Sequence, residues 1–205
     1  NDIYKKDYKG FYCVGCEAFL TKKDLKDGKC PYHLKKPEIV KEKNYFFRLS
    51  KYQDKIGDLI ESNKLKVFPK KRKNEILTFV KQGLKDFSIS RPARRTHGWG
   101  IPVPGDVSQV IYVWYDALTI YMTGIGWGYK QKLWEKWWPA DLHVIGKDIV
   151  RFHAVYWPAM LLSAKLPLPK AILVHGFVTS GGQKMSKTLG NVIDPQEVAK
   201  KYGPD

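Results

Sequence analysis

Three short apolar runs in the second half of the chain predict strands. They cover residues 110–114, 142–145 and 171–174. Each run is almost continuously apolar instead of alternating, which is typical of strands buried on both faces of a parallel sheet. Between the last two runs, residues 148–164 carry an apolar stripe at helical spacing: Ile149, Phe152, Tyr156 and Met160. Strand, helix and strand in this order predict a parallel crossover unit, in which Pro158 kinks or interrupts the helix.

Helical patterns also occupy the middle and the end of the chain. Ser50 and Gln53 have the spacing of a capping box, which predicts that a helix begins there. Pro69 suits the first turn of a second helix, whose apolar stripe consists of Ile76, Leu77, Val80 and Leu84. Near the end, Asp194 as N-cap and Pro195 in the first turn predict a last helix.

These patterns divide the chain into three segments. Residues 1–48 form a turn-rich segment with three cysteines, residues 49–90 are mostly helical, and residues 91–205 alternate strand and helix. The alternation predicts an α/β fold with a parallel sheet. The first segment is too short to bury much core, so we expect a metal or another cross-link to stabilise it.

Net charge, the lengths of the apolar runs and the first residue limit which partners and cellular location we expect for the protein. The formal net charge is +16 over 205 residues, which favours polyanionic partners such as tRNA and ATP or, alternatively, a lysine-rich surface that serves solubility. No apolar run approaches the roughly 20 residues that span a bilayer, and no secretory signal opens the chain. We therefore expect a soluble, cytoplasmic protein without a membrane partner. The chain begins at Asn1 rather than a methionine, so we expect a piece of a longer protein.

Two short-spaced ligand pairs in the first segment indicate a metal site. Cys13 and Cys16 form one pair, and Cys30 and His33 form the other, thirteen residues later. Two such pairs around a loop are typical of a tetrahedral zinc site, and four protein ligands predict a structural metal rather than a catalytic one. The alternatives are small buried thiols or a redox pair.

A basic loop near the end of the chain indicates phosphate chemistry. It contains Lys184, Met185, Ser186, Lys187 and Thr188, and two glycines precede it. Two lysines three positions apart, with hydroxyls nearby, can converge on phosphate oxygens and stabilise charge that develops during transfer. The alternative is an ordinary basic surface turn. The GxxxxGK[ST] pattern of P-loop enzymes is absent from the sequence.

The basic loop resembles the KMSKS signature of class I aminoacyl-tRNA synthetases, with Thr188 in the last position. Four further stretches are similar to the methionyl-tRNA synthetase family: residues 44–49, 112–117, 138–153 and 174–176. The isoleucyl, valyl and leucyl families share the loop but usually carry a different sequence after the W-P-x-D motif. The resemblance implies a fold in which the chain is the second half of a Rossmann-like catalytic domain with an inserted zinc-knuckle and helical connective segment. Residues 91–205 would then be the catalytic half.

The resemblance also implies which residues contact the substrates. Trp114, Tyr121, Phe152 and His153 match positions that line the methionine pocket, where aromatic side chains suit a thioether and His153 could donate a hydrogen bond to sulfur. From the residues alone, core packing is the alternative for all four.

On the ATP side, Gly146 and Asp148 match positions near the ribose and base, although Asp148 could instead cap its helix. Lys184, Met185, Ser186, Lys187 and Thr188 match the ATP phosphate loop, and the resemblance implies that Lys184 and Lys187 are catalytic. Arg91 would have a substrate-side or structural ion-pair role, and Asp116 would position the pocket.

The implied activity is the ATP-dependent activation of L-methionine and its transfer to tRNA(Met), with Mg-ATP as substrate and structural zinc. The family's HIGH motif is not in this sequence. We therefore expect the remaining N-terminal half of the catalytic domain as a partner, and an inactive isolated chain. The alternatives are another class I synthetase, or a non-catalytic zinc module that binds nucleic acid.

Overall fold

The structure is a computed structural model that describes residues 2–15, 18–20, 22–96, 98–185 and 190–203. Its strands are, in chain order, β1 Ile3–Cys13, β2 Ala18–Leu20, β3 Glu38–Phe47, β4 Lys66–Phe68, β5 Phe87–Ser88, β6 Ser90–Pro92, β7 Pro102–Val103, β8 Asp106–Ile111, β9 His143–Gly146, β10 Ala171–His175, β11 Thr179–Ser180 and β12 Gln183–Lys184. The α-helices are α1 Gln53–Glu61, α2 Lys70–Lys81, α3 Val113–Ala117, α4 Ile120–Thr123, α5 Gln131–Trp137, α6 Trp157–Ser163 and α7 Pro195–Tyr202. None of the helices in the described ranges has both the length and the apolar character needed to cross a bilayer.

The chain forms two compact units, each assembled from two stretches of sequence. The first contains residues 1–55 and 81–138, and the second contains residues 56–80 and 139–205. These units reflect packing, whereas the three segments predicted above were divided by motif. The functional division at residues 48 and 90 stays a prediction.

The first unit is built on two antiparallel sheets. Their strand orders are β2-β1-β3-β5 and β6-β8-β7. Strand β3 alternates buried and exposed side chains along most of its length, so one face of its sheet covers a core and the other faces solvent. The core contains Phe46 and Phe47, and the Phe47 ring stacks on Tyr52 at 5.8 Å.

The second unit contains the predicted parallel sheet, with strand order β4-β10-β9. The crossover from β9 to β10 is confirmed, since both strands run parallel. The helical run between them is less regular than predicted. It begins as a 3-10 turn at Lys147–Ile149, becomes a π-helix over Phe152–Tyr156, and forms the regular helix α6 from Trp157. Pro158 lies in the first turn of α6, directly after the π-helical turn, so it marks the predicted interruption of a regular helix.

Two strand predictions were wrong in detail. The run at residues 110–114 is a strand only to Ile111, in an antiparallel sheet, and Val113 begins α3. An apolar run of five cannot distinguish a buried strand from a strand end that continues into a helix. Strands β9 and β10 are also not buried on both faces, because Val144 and Leu173 are exposed.

The helix-end predictions had mixed outcomes. Asp194 caps α7, its carboxylate accepting a hydrogen bond from Gln196 N at 2.7 Å, as predicted. The capping box was wrong. The Ser50 hydroxyl donates to Asp86 at 2.6 Å, and the Gln53 side chain accepts from Leu84 N at 2.7 Å. Long-range partners thus take both side chains away from the helix start.

Candidate functional site

Three of the four predicted metal ligands come together in the first unit. Cys13 ends β1, and a tight turn brings Cys30 and His33 to it, closed by a hydrogen bond from Leu34 N to Cys30 O of 2.8 Å. His33 Nδ1 lies 3.7 Å from Cys13 Sγ and 3.8 Å from Cys30 Sγ. The fourth predicted ligand, Cys16, lies outside the described residues.

These distances fit a zinc ion. Zinc–sulfur bonds of about 2.3 Å and zinc–nitrogen bonds of about 2.0 Å, at a tetrahedral angle, place sulfur and nitrogen about 3.5 Å apart. All the ligand atoms of Cys13, Cys30 and His33 lie within 4.8 Å of one another. Gly15 is part of this fit, because a Cβ at that position would lie 2.5 Å from the His33 ring. The residues present could therefore hold a metal at one point, with the imidazole seated against a glycine.

The chemistry of the thiols agrees with metal binding. Cys13 and Cys30 are both buried and do not form a disulfide. Burial alone would raise the pKa of the Cys30 thiol, but hydrogen bonds from His33, the Tyr32 backbone and Cys13 lower that pKa to about 6. A thiol that loses its proton below neutral pH is prepared to bind a metal as thiolate.

In the second unit, the described part of the lysine loop forms a hairpin. Strands β11 and β12 pair so that Thr179 faces Lys184. Met185 N donates to Val178 O at 3.0 Å, and Asn191 Nδ2 donates to Lys184 O at 3.2 Å. Residues 186–189, which include the predicted site residues Ser186, Lys187 and Thr188, lie outside the described residues.

Lys184 meets another predicted ATP-site residue. Its ammonium nitrogen lies 3.8 Å from Asp148 Oδ2, and both side chains are about half exposed. The same nitrogen lies 3.9 Å from the centre of the Phe177 ring, and Lys147 Nζ lies 4.2 Å from that centre. Two lysine ammonium groups, the Asp148 carboxylate and the Phe177 ring therefore lie together here, and these groups carry a net positive charge.

Gly146 and Asp148 are in close contact at the end of strand β9. A Cβ on Gly146 would lie 2.8 Å from Asp148 Oδ1, so glycine is needed for the carboxylate to take this position. Gly146 pairs with His175 at the carboxyl end of the parallel strands, which is where open α/β sheets place ligands. The short helical turn at Lys147–Ile149 has no side-chain cap, so the alternative role of Asp148 as a helix cap is not observed.

The π-helical turn carries two residues predicted to contact methionine. Phe152 is partly exposed and packs edge-to-face on Tyr156, whereas His153 is 1% exposed. Burial lowers the pKa of His153, which keeps the ring neutral at physiological pH. Its Nδ1 lies 3.1 Å from the carbonyl oxygen of Ile149. A carbonyl can only accept, so the proton sits on Nδ1 and Nε2 is an acceptor. With the proton on Nδ1, the ring does not support the predicted hydrogen bond donated by His153 to sulfur.

A second buried histidine lies beside His153. His143 begins strand β9 and is 5% exposed, and the two ring centres are 6.0 Å apart. Burial, with a smaller repulsion from His153, lowers the pKa of His143 from 6.5 to about 4. The pair is therefore neutral at physiological pH, which suits a site for an uncharged side chain.

The other two predicted methionine residues belong to the first unit. Trp114 lies on α3 and Tyr121 on α4, and both are partly buried. Burial raises the pKa of the Tyr121 phenol. Asp116, predicted to position the pocket, is on the same helix as Trp114.

Arg91 has a structural environment in the first unit. It is 6% exposed, and its guanidinium donates to Ser88 Oγ and to Ser90 O, both at 2.8 Å. The guanidinium also lies 4.5 Å from the centre of the Tyr112 ring and 4.9 Å from that of Phe19. Burial lowers its pKa. Polar acceptors and aromatic faces surround this charge, and the Glu42 carboxylate also attracts it, which supports a structural role rather than a substrate contact.

Sequence reasoning missed Phe177, Lys147 and His143. Phe177 and Lys147 are single residues next to recognised motifs, and only the fold brings them to Lys184. His143 lies inside an apolar run, where a polar residue is informative because it is expected to be buried.

Known proteins resemble the chain along its whole length. A family model described as tRNA synthetases class I (M) matches residues 2–205. The methionine–tRNA ligase of Brucella suis is 54% identical over all of this chain, and that of Nostoc sp. is 51% identical. The chain spans about 40% of the length of each of these relatives.

A solved structure has the same fold. Mycobacterium tuberculosis methionyl-tRNA synthetase in complex with methionyl-adenylate superposes with a TM-score of 0.88 and 45% identity, over 98% of this chain and 40% of that chain. The mixed α/β architecture with its parallel sheet is consistent with the Rossmann-like fold of class I enzymes. The chain therefore belongs to the class I tRNA synthetases (M), the family of methionyl-tRNA synthetases.

Proposed function

We propose that the protein carrying this chain is a methionine–tRNA ligase, which activates L-methionine with Mg-ATP and transfers it to tRNA(Met). The observation that carries the proposal is the meeting of Lys184 and Asp148, at the carboxyl end of two parallel strands, in a member of this family. The M. tuberculosis relative binds methionyl-adenylate, the product of the first step. ATP and methionine are accordingly the proposed substrates here.

The first step joins the methionine carboxylate to the α-phosphate of ATP, and pyrophosphate leaves. In our proposal Lys184 and Lys187 stabilise the charge that develops on the departing pyrophosphate. Met185, Ser186 and Thr188 complete the phosphate loop. Gly146 and Asp148 hold the ribose and base side, where a carboxylate can accept hydrogen bonds from sugar hydroxyls. Positioning and charge stabilisation supply the catalysis.

Selection of the amino acid is assigned to Trp114, Tyr121, Phe152 and His153. Aromatic rings favour a thioether, and a neutral His153 avoids a buried charge next to an uncharged side chain. The fixed Nδ1 proton gives His153 one acceptor atom for ligand or water contacts. In the second step, a terminal ribose hydroxyl of tRNA(Met) attacks the acyl carbonyl of the adenylate, and AMP leaves.

We also propose a structural zinc ion bound by Cys13, Cys16, Cys30 and His33. The ion would cross-link the end of β1 to the turn at Cys30, and it would take no part in either chemical step. Metal analysis of the purified protein tests this assignment. One equivalent of zinc, lost in a Cys30→Ser variant, is the expected result, and metal-free wild-type protein would contradict it.

Methionine-dependent ATP–pyrophosphate exchange tests the catalytic proposal in the whole protein that carries this chain. Lys184→Met should lower kcat/KM for ATP by about 100-fold, because a cation at the developing charge is lost. The matched control is Lys170→Met, which removes a similar exposed ion pair, Lys170 to Asp141 at 2.6 Å, and should leave exchange unchanged.

The assay also separates the alternative functions. Exchange that depends equally on leucine or isoleucine would replace the methionine assignment with another class I specificity. RNA binding without any exchange would replace it with a non-catalytic zinc module. A cytoplasmic location of the whole protein remains a prediction and can be checked by fractionation.

A further inference from the structure

We propose that Phe177 is a positioning residue for the ATP phosphates, acting through Lys147 and Lys184. The inference rests on the proposed function and adds two residues, Phe177 and Lys147, to its ATP site. The aromatic ring gathers two ammonium groups that would otherwise repel each other, and it presents them to the phosphate oxygens of the nucleotide.

The contacts at the ring carry the inference. Lys184 Nζ lies 3.9 Å and Lys147 Nζ lies 4.2 Å from the centre of the Phe177 ring. Both distances are well within the roughly 6 Å over which a ring face attracts a cation. Phe177 is only partly buried, so its ring is available at the surface of the second unit. The Phe177 ring therefore contacts two lysine ammonium groups at once.

The backbone places Phe177, Lys147 and Lys184 next to one another. Phe177 lies between the end of β10 and the hairpin β11–β12, while Lys147 follows the neighbouring strand β9. The residue after Phe177 accepts a hydrogen bond from Met185 N of 3.0 Å, which fixes the base of the lysine loop beside the ring. Three separate parts of the second unit thus meet at Phe177.

An aromatic ring suits this position better than a second carboxylate. Asp148 already lies 3.8 Å from Lys184, and another carboxylate would neutralise the remaining positive charge. A ring attracts ammonium groups through its quadrupole without cancelling their charge. The site therefore keeps an excess of positive charge for an oxyanion. Because the ring contact is weak and tolerant of direction, Lys184 can move from Phe177 and Asp148 to a phosphate oxygen during the reaction.

A graded series at position 177 tests the role of the ring. In the whole protein, Phe177 is replaced by mono-, di- and trifluorinated phenylalanine, which keep the shape while progressively weakening the attraction for cations. The expected result is a stepwise fall in kcat/KM for ATP in pyrophosphate exchange, by about tenfold over the series. The KM for methionine should not change. Phe177→Trp should retain activity, whereas Phe177→Leu should lose about as much as the last member of the series.

Two further measurements make the test specific. Phe79→Leu is the matched control, because the Phe79 ring is also partly exposed and contacts the Arg151 guanidinium at 4.4 Å. It should leave kcat/KM for ATP unchanged. Lys147→Met combined with Phe177→Leu should lose less than the product of the two single losses, since both changes break the same contact.

The outcomes separate this inference from the proposed function. Active wild-type protein with a flat fluorination series would overturn the positioning role and leave the function standing. Equal losses in Phe177→Leu and Phe177→Trp would do the same, because they would indicate packing alone. Wild-type protein without methionine-dependent exchange would overturn the proposed function and this inference with it.

Discussion

The buried pair His143 and His153 makes stability in the second unit depend on pH. Both side chains are almost fully buried, and the pKa of His143 falls from 6.5 to about 4 on folding. In the unfolded chain the same imidazole takes up a proton near its ordinary pKa of 6.5. The folded state therefore keeps its full stability above pH 6.5 and loses it as the pH falls towards 4.

The size of the effect follows from these two pKa values. Between pH 7 and pH 4.5, His143 alone should cost the folded state about 2 kcal/mol of its free energy of unfolding. His153 adds to the loss, because burial lowers its pKa as well. A loss of this size is a large fraction of the stability of an ordinary domain.

Urea unfolding at the two pH values, followed by a probe in the second unit, measures the loss. The buried Trp157 is a natural fluorescent reporter there. His143→Gln should reduce the pH-dependent loss by about 2 kcal/mol relative to the wild type. His175→Gln is the control, because that histidine is exposed on the surface. NMR of the imidazole signals should place the midpoint of His143 near pH 4, and a midpoint near 6.5 would refute the reasoning.

Three other substitutions test contacts described above. Gly15→Ala should weaken zinc binding by about tenfold in a chelator competition, since the new methyl group would lie 2.5 Å from the His33 ring. Gly146→Ala should lower kcat/KM for ATP by roughly 10- to 100-fold in pyrophosphate exchange, because its Cβ would displace the Asp148 carboxylate. Arg91→Lys should lower the free energy of unfolding by about 2 kcal/mol in urea, since an ammonium cannot keep both hydrogen bonds and the aromatic contacts.

One control serves both glycine substitutions. At Gly57 an added Cβ would make only an ordinary contact, 3.7 Å from Val80, within a helix. Gly57→Ala should leave zinc affinity and exchange unchanged and raise stability by about 0.5–1 kcal/mol. Unaltered zinc affinity in Gly15→Ala, unaltered exchange in Gly146→Ala, or unaltered stability in Arg91→Lys would each contradict the corresponding contact.

The sequence predicted the fold best where the pattern is local. The parallel strands β9 and β10 and the N-cap at Asp194 follow from apolar runs and capping chemistry over a few residues. The same local reasoning failed at Ser50 and Gln53, because Asp86 and Leu84 compete for their side chains from more than 30 positions away. Long-range hydrogen bonds of this kind leave no periodic trace in the sequence.

In the candidate sites, too, the sequence predicted what local spacing determines and missed what long-range contacts determine. Spacing alone brought together Cys13, Cys30 and His33, because metal ligands must converge and their spacing is constrained. A family resemblance assigned Lys184 and Asp148 separately to the ATP site, and the structure supplied the contact between them. Phe177 could not be predicted, since its role depends on two lysines that the fold brings from separate elements. The π-helical turn that fixes the proton on His153 likewise has no signature in the apolar stripe.

Strand β4 has a consequence for how the protein is made. It pairs with β10, and Lys66 lies opposite Ala171, more than 100 positions later in the chain. Residues 81–138, which belong to the first unit, are synthesised between these two strands. During translation, β4 therefore lacks its partner strand β10 while the strands of the first unit are already available to pair. Non-local pairing of this kind is slow to form, so nascent chains released before residue 171 should expose β4 and bind chaperones more strongly than the finished protein.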